Sequence, residues 1–206
     1  MMKTFVKICG LTTPEGVAAA VRAGADAVGF VFAPSPREVS PAQARQLAAT
    51  LPAGVKRVAV FRHPPPGRIA AVLSEFPADW VQSDAVDLPG VDLAGAEALP
   101  VFRSGAPLPP MLPELLLFEG PDSGSGRVAD WEAARAVAQQ THIILAGGLN
   151  PGNVREALQA VRPWGVDVSS GVESAPGVKD PSLVEDFVAA VRRAEQAEKQ
   201  SRDQDL

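Results

Sequence analysis

Two stretches decide the fold of this chain: Ile143-Ile144-Leu145-Ala146-Gly147-Gly148-Leu149-Asn150-Pro151 and Val166-Asp167-Val168-Ser169-Ser170-Gly171-Val172-Glu173. Each opens as an apolar run of strand length and breaks into small residues that expose backbone N–H groups. In the first, Asn150 can cap a helix whose first turn starts at Pro151. In the second, Ser169, Ser170 and Gly171 can turn amides and hydroxyls toward one anion. Two strand–glycine–helix junctions in succession, late in an alternating chain, are the pattern of the phosphate grip after strands seven and eight of a (β/α)8 barrel.

Outward from these junctions the alternation repeats. Phe5–Cys9 reads as a strand ending at Gly10, and Thr13-Pro14 as a cap and first helical turn. Ala27–Phe32 is apolar on both faces, as a buried parallel strand requires. Ser40-Pro41 opens the next helix; a strand over Arg57–Phe61, a helix from Pro66 to Phe76 and a strand over Trp80–Ser83 follow. The twenty-nine residues between Asp84 and Glu114 carry prolines at 89, 100, 107, 109, 110 and 113, so this part holds a fifth strand near Val101-Phe102 between degenerate fourth and fifth connections. Leu115–Glu119 is the sixth strand. A glycine-rich loop through Gly126 leads to a helix capped by Asp130, and the last helix runs from Pro181 to about Val191. Four helix starts read Thr-Pro, Ser-Pro, Asn-Pro and Asp-Pro. The reading is a single compact (β/α)8 barrel over residues 1–194, with a polar tail at 195–206 that frays. No Gly-x-Gly-x-x-Gly follows the first strand, which argues against an open doubly wound sheet.

The whole chain narrows the function classes. Its 206 residues, 46% hydrophobic and 21% charged, suit one soluble domain, and a net charge of −5 argues against a nucleic-acid or anionic-membrane surface. A phosphate is therefore held by local N–H groups. One cysteine excludes an internal disulfide, and the N-terminus lacks a signal-peptide layout, so the cytoplasm is the expected compartment. His63 and His142 are too few and too isolated to be read as metal ligands; no metal or cofactor is expected.

In such a barrel chemistry collects where strands end, at Cys9, Arg37, Asp84, Glu119, Asp122, Asp167 and Ser169. Alternation puts Lys7 and Cys9 on one face and Asp167 with Ser169 on one face. Strands one and eight are neighbours in a closed barrel, so Lys7 can pair with Asp167 inside it and favour the Cys9 thiolate. Arg37, after Pro34-Ser35-Pro36, reads either as a solvated loop arginine or as a clamp for a substrate carboxylate. The Gly124-Ser125-Gly126 loop reads either as a connection or as a lid.

These blocks carry a resemblance. Lys7-Ile8-Cys9-Gly10-Leu11-Thr12, Gly24–Phe32, Ser35-Pro36-Arg37, Gly147–Pro151 and Asp167–Glu173 resemble phosphoribosylanthranilate isomerase. The resemblance implies an Amadori rearrangement in tryptophan biosynthesis: phosphoribosylanthranilate, an aminoaldose, becomes a carboxyphenylamino-deoxyribulose phosphate. It implies Cys9 as general base, Arg37 as the contact for the anthranilate carboxylate, Asp167 as a substrate-site residue, and a phosphate held by Gly147, Gly148, Ser169, Ser170 and Gly171. A small phosphorylated substrate is the expected partner, and a monomer or homodimer the expected assembly. Two blocks depart from the family. Gln82-Ser83-Asp84-Ala85 stands where the family has Gln-Leu-His-Gly. Direct register at the sixth strand puts Phe118 in the place of the family's acidic aspartate. Alternation along that strand turns Leu115, Leu117 and Glu119 to one face, making Glu119 the expected acid at a desolvated rim, with Asp122 the alternative. The competing readings are another phosphate-binding barrel enzyme, or a phosphosugar-binding barrel that does not turn over.

Overall fold

The computed structural model describes residues 3–121 and 129–204. Eight parallel strands close into a barrel in chain order: β1 Phe5–Cys9, β2 Ala27–Val31, β3 Lys56–Val60, β4 Trp80–Asp84, β5 Glu97–Arg103, β6 Leu115–Glu119, β7 His142–Leu145 and β8 Gly165–Val168. The helices α1 Pro14–Ala23, α2 Pro41–Ala48, α3 Arg68–Glu75, α4 Trp131–Ala138, α5 Val154–Val161 and α6 Pro181–Gln204 lie outside it. A short two-stranded sheet, β9 Glu173–Ala175 with β10 Val178–Lys179, stands between β8 and α6.

Local chemistry sets the helix starts. Thr13 Oγ1 accepts from the Gly16 amide and Ser40 Oγ from the Gln43 amide, each with proline in the first turn. Asp130 caps α4 and Asp180 caps α6 in the same way. The Asn150-Pro151 junction differs from expectation. The Asn150 carboxamide accepts from the Gly152 amide, and Asn153 Oδ1 accepts from the Asn150 amide. These two bonds fold Pro151–Asn153 into a turn, so α5 begins only at Val154. The other difference is at the C-terminus. There α6 continues past Val191 to Gln204, and Glu195 ties the last helix to the start of β1 through the Thr4 amide and Arg192.

The proline-rich middle is irregular, as the sequence implies. One 3₁₀ turn, Ala85–Asp87, is all the helix between β4 and β5, and none separates β5 from β6. Strand alternation divides the apolar residues into two cores. Val6, Ile8, Val28, Phe30, Leu116, Phe118, Ile143, Leu145, Val166 and Val168 face the helices. Ala27, Val58, Trp80, Leu99, Val101, Leu117 and Ile144 fill the barrel together with Cys9. Its floor is aromatic, with Phe5 stacked on Trp164 at 4.7 Å and tilted against Trp80 at 5.3 Å.

Gly165 makes room for that floor: a Cβ there would lie 2.9 Å from both the Phe5 Cβ and the Phe5 carbonyl oxygen. Gly165→Val is therefore expected to lower unfolding stability by about 1–3 kcal/mol through overpacking, read as a shift of the urea midpoint. An unchanged midpoint would mean that the floor is not tightly packed.

Candidate active site

The closure of the barrel places the chemistry. In the β1–β8 register Lys7 stands opposite Asp167, and Lys7 Nζ donates to Asp167 Oδ1 at 2.8 Å inside the barrel. The Lys7 side chain is fully buried and that of Asp167 is 8% exposed. Burial works against the charge of Lys7, but the Asp167 carboxylate and then Cys9 outweigh it and raise its pKa. The pairing expected from alternation is present.

Cys9 sits one alternation above Lys7, at the carboxyl end of β1. Gly29 on β2 leaves the space beside it, since a Cβ there would lie 2.9 Å from the Cys9 Sγ and 3.3 Å from Lys7 Nζ. Burial raises the thiol pKa; Lys7 acts in the opposite direction without prevailing, and Asp167 adds to the rise. The expectation that Lys7 favours the thiolate thus names a real force, and desolvation is the larger one.

A cavity over the barrel mouth is lined by Cys9, Arg37, Gln82, Arg103, Glu119, Asp167 and Ser169, with apolar walls from Val31, Val60, Phe61 and Val101. Arg37 reaches it from the β2–α2 loop. Its Nε and Nη2 donate to the two Glu173 oxygens at 2.8 and 2.9 Å, a fork that fixes the guanidinium plane. Burial disfavours the Glu173 charge, but hydrogen bonds from Arg37 and Lys179 overcome this and lower its pKa. The solvated reading of Arg37 does not hold: its side chain is 14% exposed.

On the far side, Phe118 packs outward in the helix-facing core and Leu117 inward, so alternation brings Glu119 to the cavity. Arg103, from the end of β5, bridges Glu119 and Asp84, donating to Asp84 Oδ1 from Nε at 2.9 Å and Nη2 at 2.7 Å. The Arg103 guanidinium thus stands against the Glu119 carboxyl group, where the sequence alone predicts a desolvated rim. Asp122 and the Gly124-Ser125-Gly126 loop lie outside the described residues. Asp84 belongs to the scaffold around Arg103. His63 is not isolated as the sequence suggested: its ring stands 3.3 Å from Asp84 Oδ2 and 3.2 Å from Asp87 Oδ1, the three groups offering ligand atoms within 4.8 Å of one another. Gln82 Oε1 is buried in the cavity wall without a hydrogen-bond partner among the described residues.

The loops after β7 and β8 meet beside the cavity. A Cβ on Gly171 would fall 1.9 Å from the Leu149 carbonyl oxygen, so only glycine permits this approach. Ser170–Val172 forms a 3₁₀ turn with Ser169 at its head. Asn153 Nδ2 donates to the Gly148 carbonyl at 2.9 Å, and among the described residues the amides of Gly147 and Gly148 have no protein acceptor. Two site residues escaped the sequence reading. Arg103 was signalled only by its place at a strand's carboxyl end; Lys179, buried behind Ser169 and Glu173, lies on a strand that no alternation announced.

A family model described as N-(5'phosphoribosyl)anthranilate (PRA) isomerase matches residues 6–93 and 111–190. The N-(5'-phosphoribosyl)anthranilate isomerases of Bordetella parapertussis and Paracoccus denitrificans are 42% and 41% identical, over 95% and 91% of this chain and 99% and 97% of theirs. The crystal structure of the Thermus thermophilus phosphoribosyl anthranilate isomerase superposes with a TM-score of 0.81 at 32% identity, covering 92% of this chain and 99% of that one. A second, in complex with reduced 1-(o-carboxyphenylamino)-1-deoxyribulose 5-phosphate, gives 0.76 at 33% identity, covering 92% and 98%.

The buried pair generates a stability prediction. Lys7→Met leaves a buried carboxylate uncompensated and is expected to cost about 3–5 kcal/mol, whereas Lys7→Met combined with Asp167→Leu recovers most of that loss. Denaturant unfolding of the single and double variants tests this; equal losses in both would show that the pair does not act as a unit.

Proposed function

The chain belongs to the N-(5'-phosphoribosyl)anthranilate isomerase family, and from that premise we propose how its own residues carry out the aldose–ketose rearrangement. The reaction is an Amadori rearrangement in tryptophan biosynthesis. An acid protonates the ribose ring oxygen and opens the sugar to a Schiff base; a base removes the C2 proton; the resulting enolamine tautomerises to the ketone. Acid and base must reach one sugar from opposite sides.

The observation that carries the assignment is that one cavity holds Cys9 on β1 and Glu119 on β6, with Arg37 beside them. Cys9 is the base that takes the C2 proton. Lys7 below it supplies positive charge to the thiolate, and Asp167 holds Lys7 in place while lining the substrate site. Glu119 is the acid; once its proton is given up, Arg103 stabilises the carboxylate left behind. Arg37, already oriented by Glu173, receives the anthranilate carboxylate. The phosphate rests between Gly147-Gly148 and Ser169-Ser170-Gly171, where two loops meet and amides are available. No step asks for a redox change. The working unit is one barrel, residues 1–194, followed by the polar tail 195–206, of which the last helix takes in the part up to Gln204. It acts in the cytoplasm as a monomer or homodimer; the Thermotoga maritima relative is described as dimeric, and no helix among the described residues is long and apolar enough to cross a membrane.

Turnover of phosphoribosylanthranilate tests the assignment. Cys9→Ala is expected to fold normally and lose about 10²–10⁴ in kcat; near-normal turnover removes Cys9 from the role. Because burial lifts the thiol above its ordinary value of 9.0 in the free enzyme, kcat/KM should still be rising with pH through 9 as the thiolate forms. A limb complete well below pH 9 would point to another base. For the acid, Glu119→Gln and Asp122→Asn are compared at saturating substrate: Glu119→Gln should lose kcat by about two orders of magnitude or more while Asp122→Asn keeps most of it. The reverse pattern moves the acid into the loop.

A further inference from the structure

Behind the Arg37 loop lies the β9–β10 hairpin, which takes no part in closing the barrel. Lys179 on β10 has a side chain only 1% exposed and points its ammonium into the site wall. Lys179 Nζ donates to Glu173 Oε1 at 2.7 Å, to the Ser169 carbonyl at 3.0 Å and to Ser169 Oγ at 3.3 Å. Glu173 in turn takes both fork nitrogens of Arg37. The turn of the hairpin touches the same loop from its backbone side. Gly177 has φ +82, and a Cβ there would fall 2.3 Å from the Pro36 carbonyl oxygen; Thr12 Oγ1 donates to the Gly177 carbonyl at 2.6 Å. Arg37 is therefore gripped twice, at its guanidinium through Glu173 and at its backbone through Pro36.

Charge accounting shows what this grip is for. Two cations, Lys179 and Arg37, share one anion, Glu173, so the cluster carries a surplus positive charge. Lys179 is sealed from the cavity's solvent, whereas Arg37 lines the cavity. Among the described residues Arg37 Nη1 has no acceptor, so the guanidinium has a free edge for an incoming anion. Lys179 cannot meet that anion itself. It can keep Glu173 from rotating, and a fixed Glu173 holds Arg37 in one orientation before substrate arrives.

We infer that the β9–β10 hairpin is a positioning element for Arg37, and that Lys179 and Gly177 thereby set recognition of the substrate's ring carboxylate. This rests on the reading of Arg37 as the carboxylate contact. Lys179 is a positioning residue and touches no reacting atom.

The experiment uses two substrates, phosphoribosylanthranilate and phosphoribosylaniline, the same aminoaldose without the ring carboxylate. The enzymes are wild type, Arg37→Ala, Lys179→Met and Gly177→Ala, with thermal unfolding recorded for each. Gly177→Ala should raise KM for the carboxylated substrate by about tenfold or more, the usual worth of a charge-assisted hydrogen bond, and leave kcat and the kinetics on the aniline substrate nearly unchanged; Lys179→Met, which also releases Ser169 beside the phosphate, should raise KM for both substrates but by about tenfold more for the carboxylated one. Arg37→Ala should show the same selectivity, more strongly. Gly177→Ala removes no buried charge, so it decides the matter if Lys179→Met does not fold. If the hairpin variants impair both substrates equally, or neither, while Arg37→Ala discriminates, the inference is overturned and the role of Arg37 stands. If Arg37→Ala itself treats the two substrates alike, its role as carboxylate contact falls, and the hairpin's role with it.

Discussion

The buried ion pair between Lys7 and Asp167 is the constraint around which the rest is arranged. A full charge at 0% side-chain exposure is tolerated only with its partner in contact, and the partner sits on the strand that closes the barrel. A register slip of one residue between β1 and β8 would turn one of the two out of the interior and leave the other unpaired. The pair therefore makes one closure of the barrel far better than its neighbours. That same closure stands Cys9 and Ser169 at the rim, one alternation above. Electrostatic cost fixes the register, and the register delivers the reacting groups.

Above the pair, the mouth carries two charged clusters, one centred on the carboxylate of Glu173 and the other on the guanidinium of Arg103. Lys179, Glu173 and Arg37 form one; Asp84, Arg103 and Glu119 form the other. Their arrangement is opposite. Among the described residues the first joins two cations through one carboxylate, and the second joins two carboxyl groups through one guanidinium. Such polarity suits a substrate with a carboxylate at one end of its reactive part and an oxygen to be protonated at the other.

How much of this was legible in the sequence depended on whether one strand sufficed. Alternation along β1, β6 and β8 placed Lys7, Cys9, Glu119 and Asp167 on the correct faces, because a period of two is a local property. Helix starts were legible where a single residue capped and proline followed, as at Thr13, Ser40 and Asp180. At Asn150 the reading failed because Asn153 offered a competing hydrogen bond. The departure at the fourth strand is visible in the sequence as Asp84 in place of a histidine, but the partner of Asp84 is not, since Arg103 reaches Asp84 and Glu119 across strand neighbours nineteen and sixteen residues away. Lys179 was hidden for a related reason: a buried lysine in a two-residue strand has no periodicity to announce it. The solvated reading of Arg37 fell to a glutamate 136 residues distant.

The missing helices beside β4 and β5 carry a consequence for motion. Elsewhere each strand is pinned by a helix that buries its outer face, while here the connections leave Val86, Leu108 and Met111 exposed. With less apolar surface to uncover, this arc of the wall opens at lower free energy than the rest, and amide hydrogens there exchange through local opening rather than global unfolding. Arg103 stands at the top of that arc. Arg103 and its contact with Glu119 therefore stand at the end of the arc that no full helix backs, whereas Cys9 and Asp167 stand on strands followed by α1 and α6.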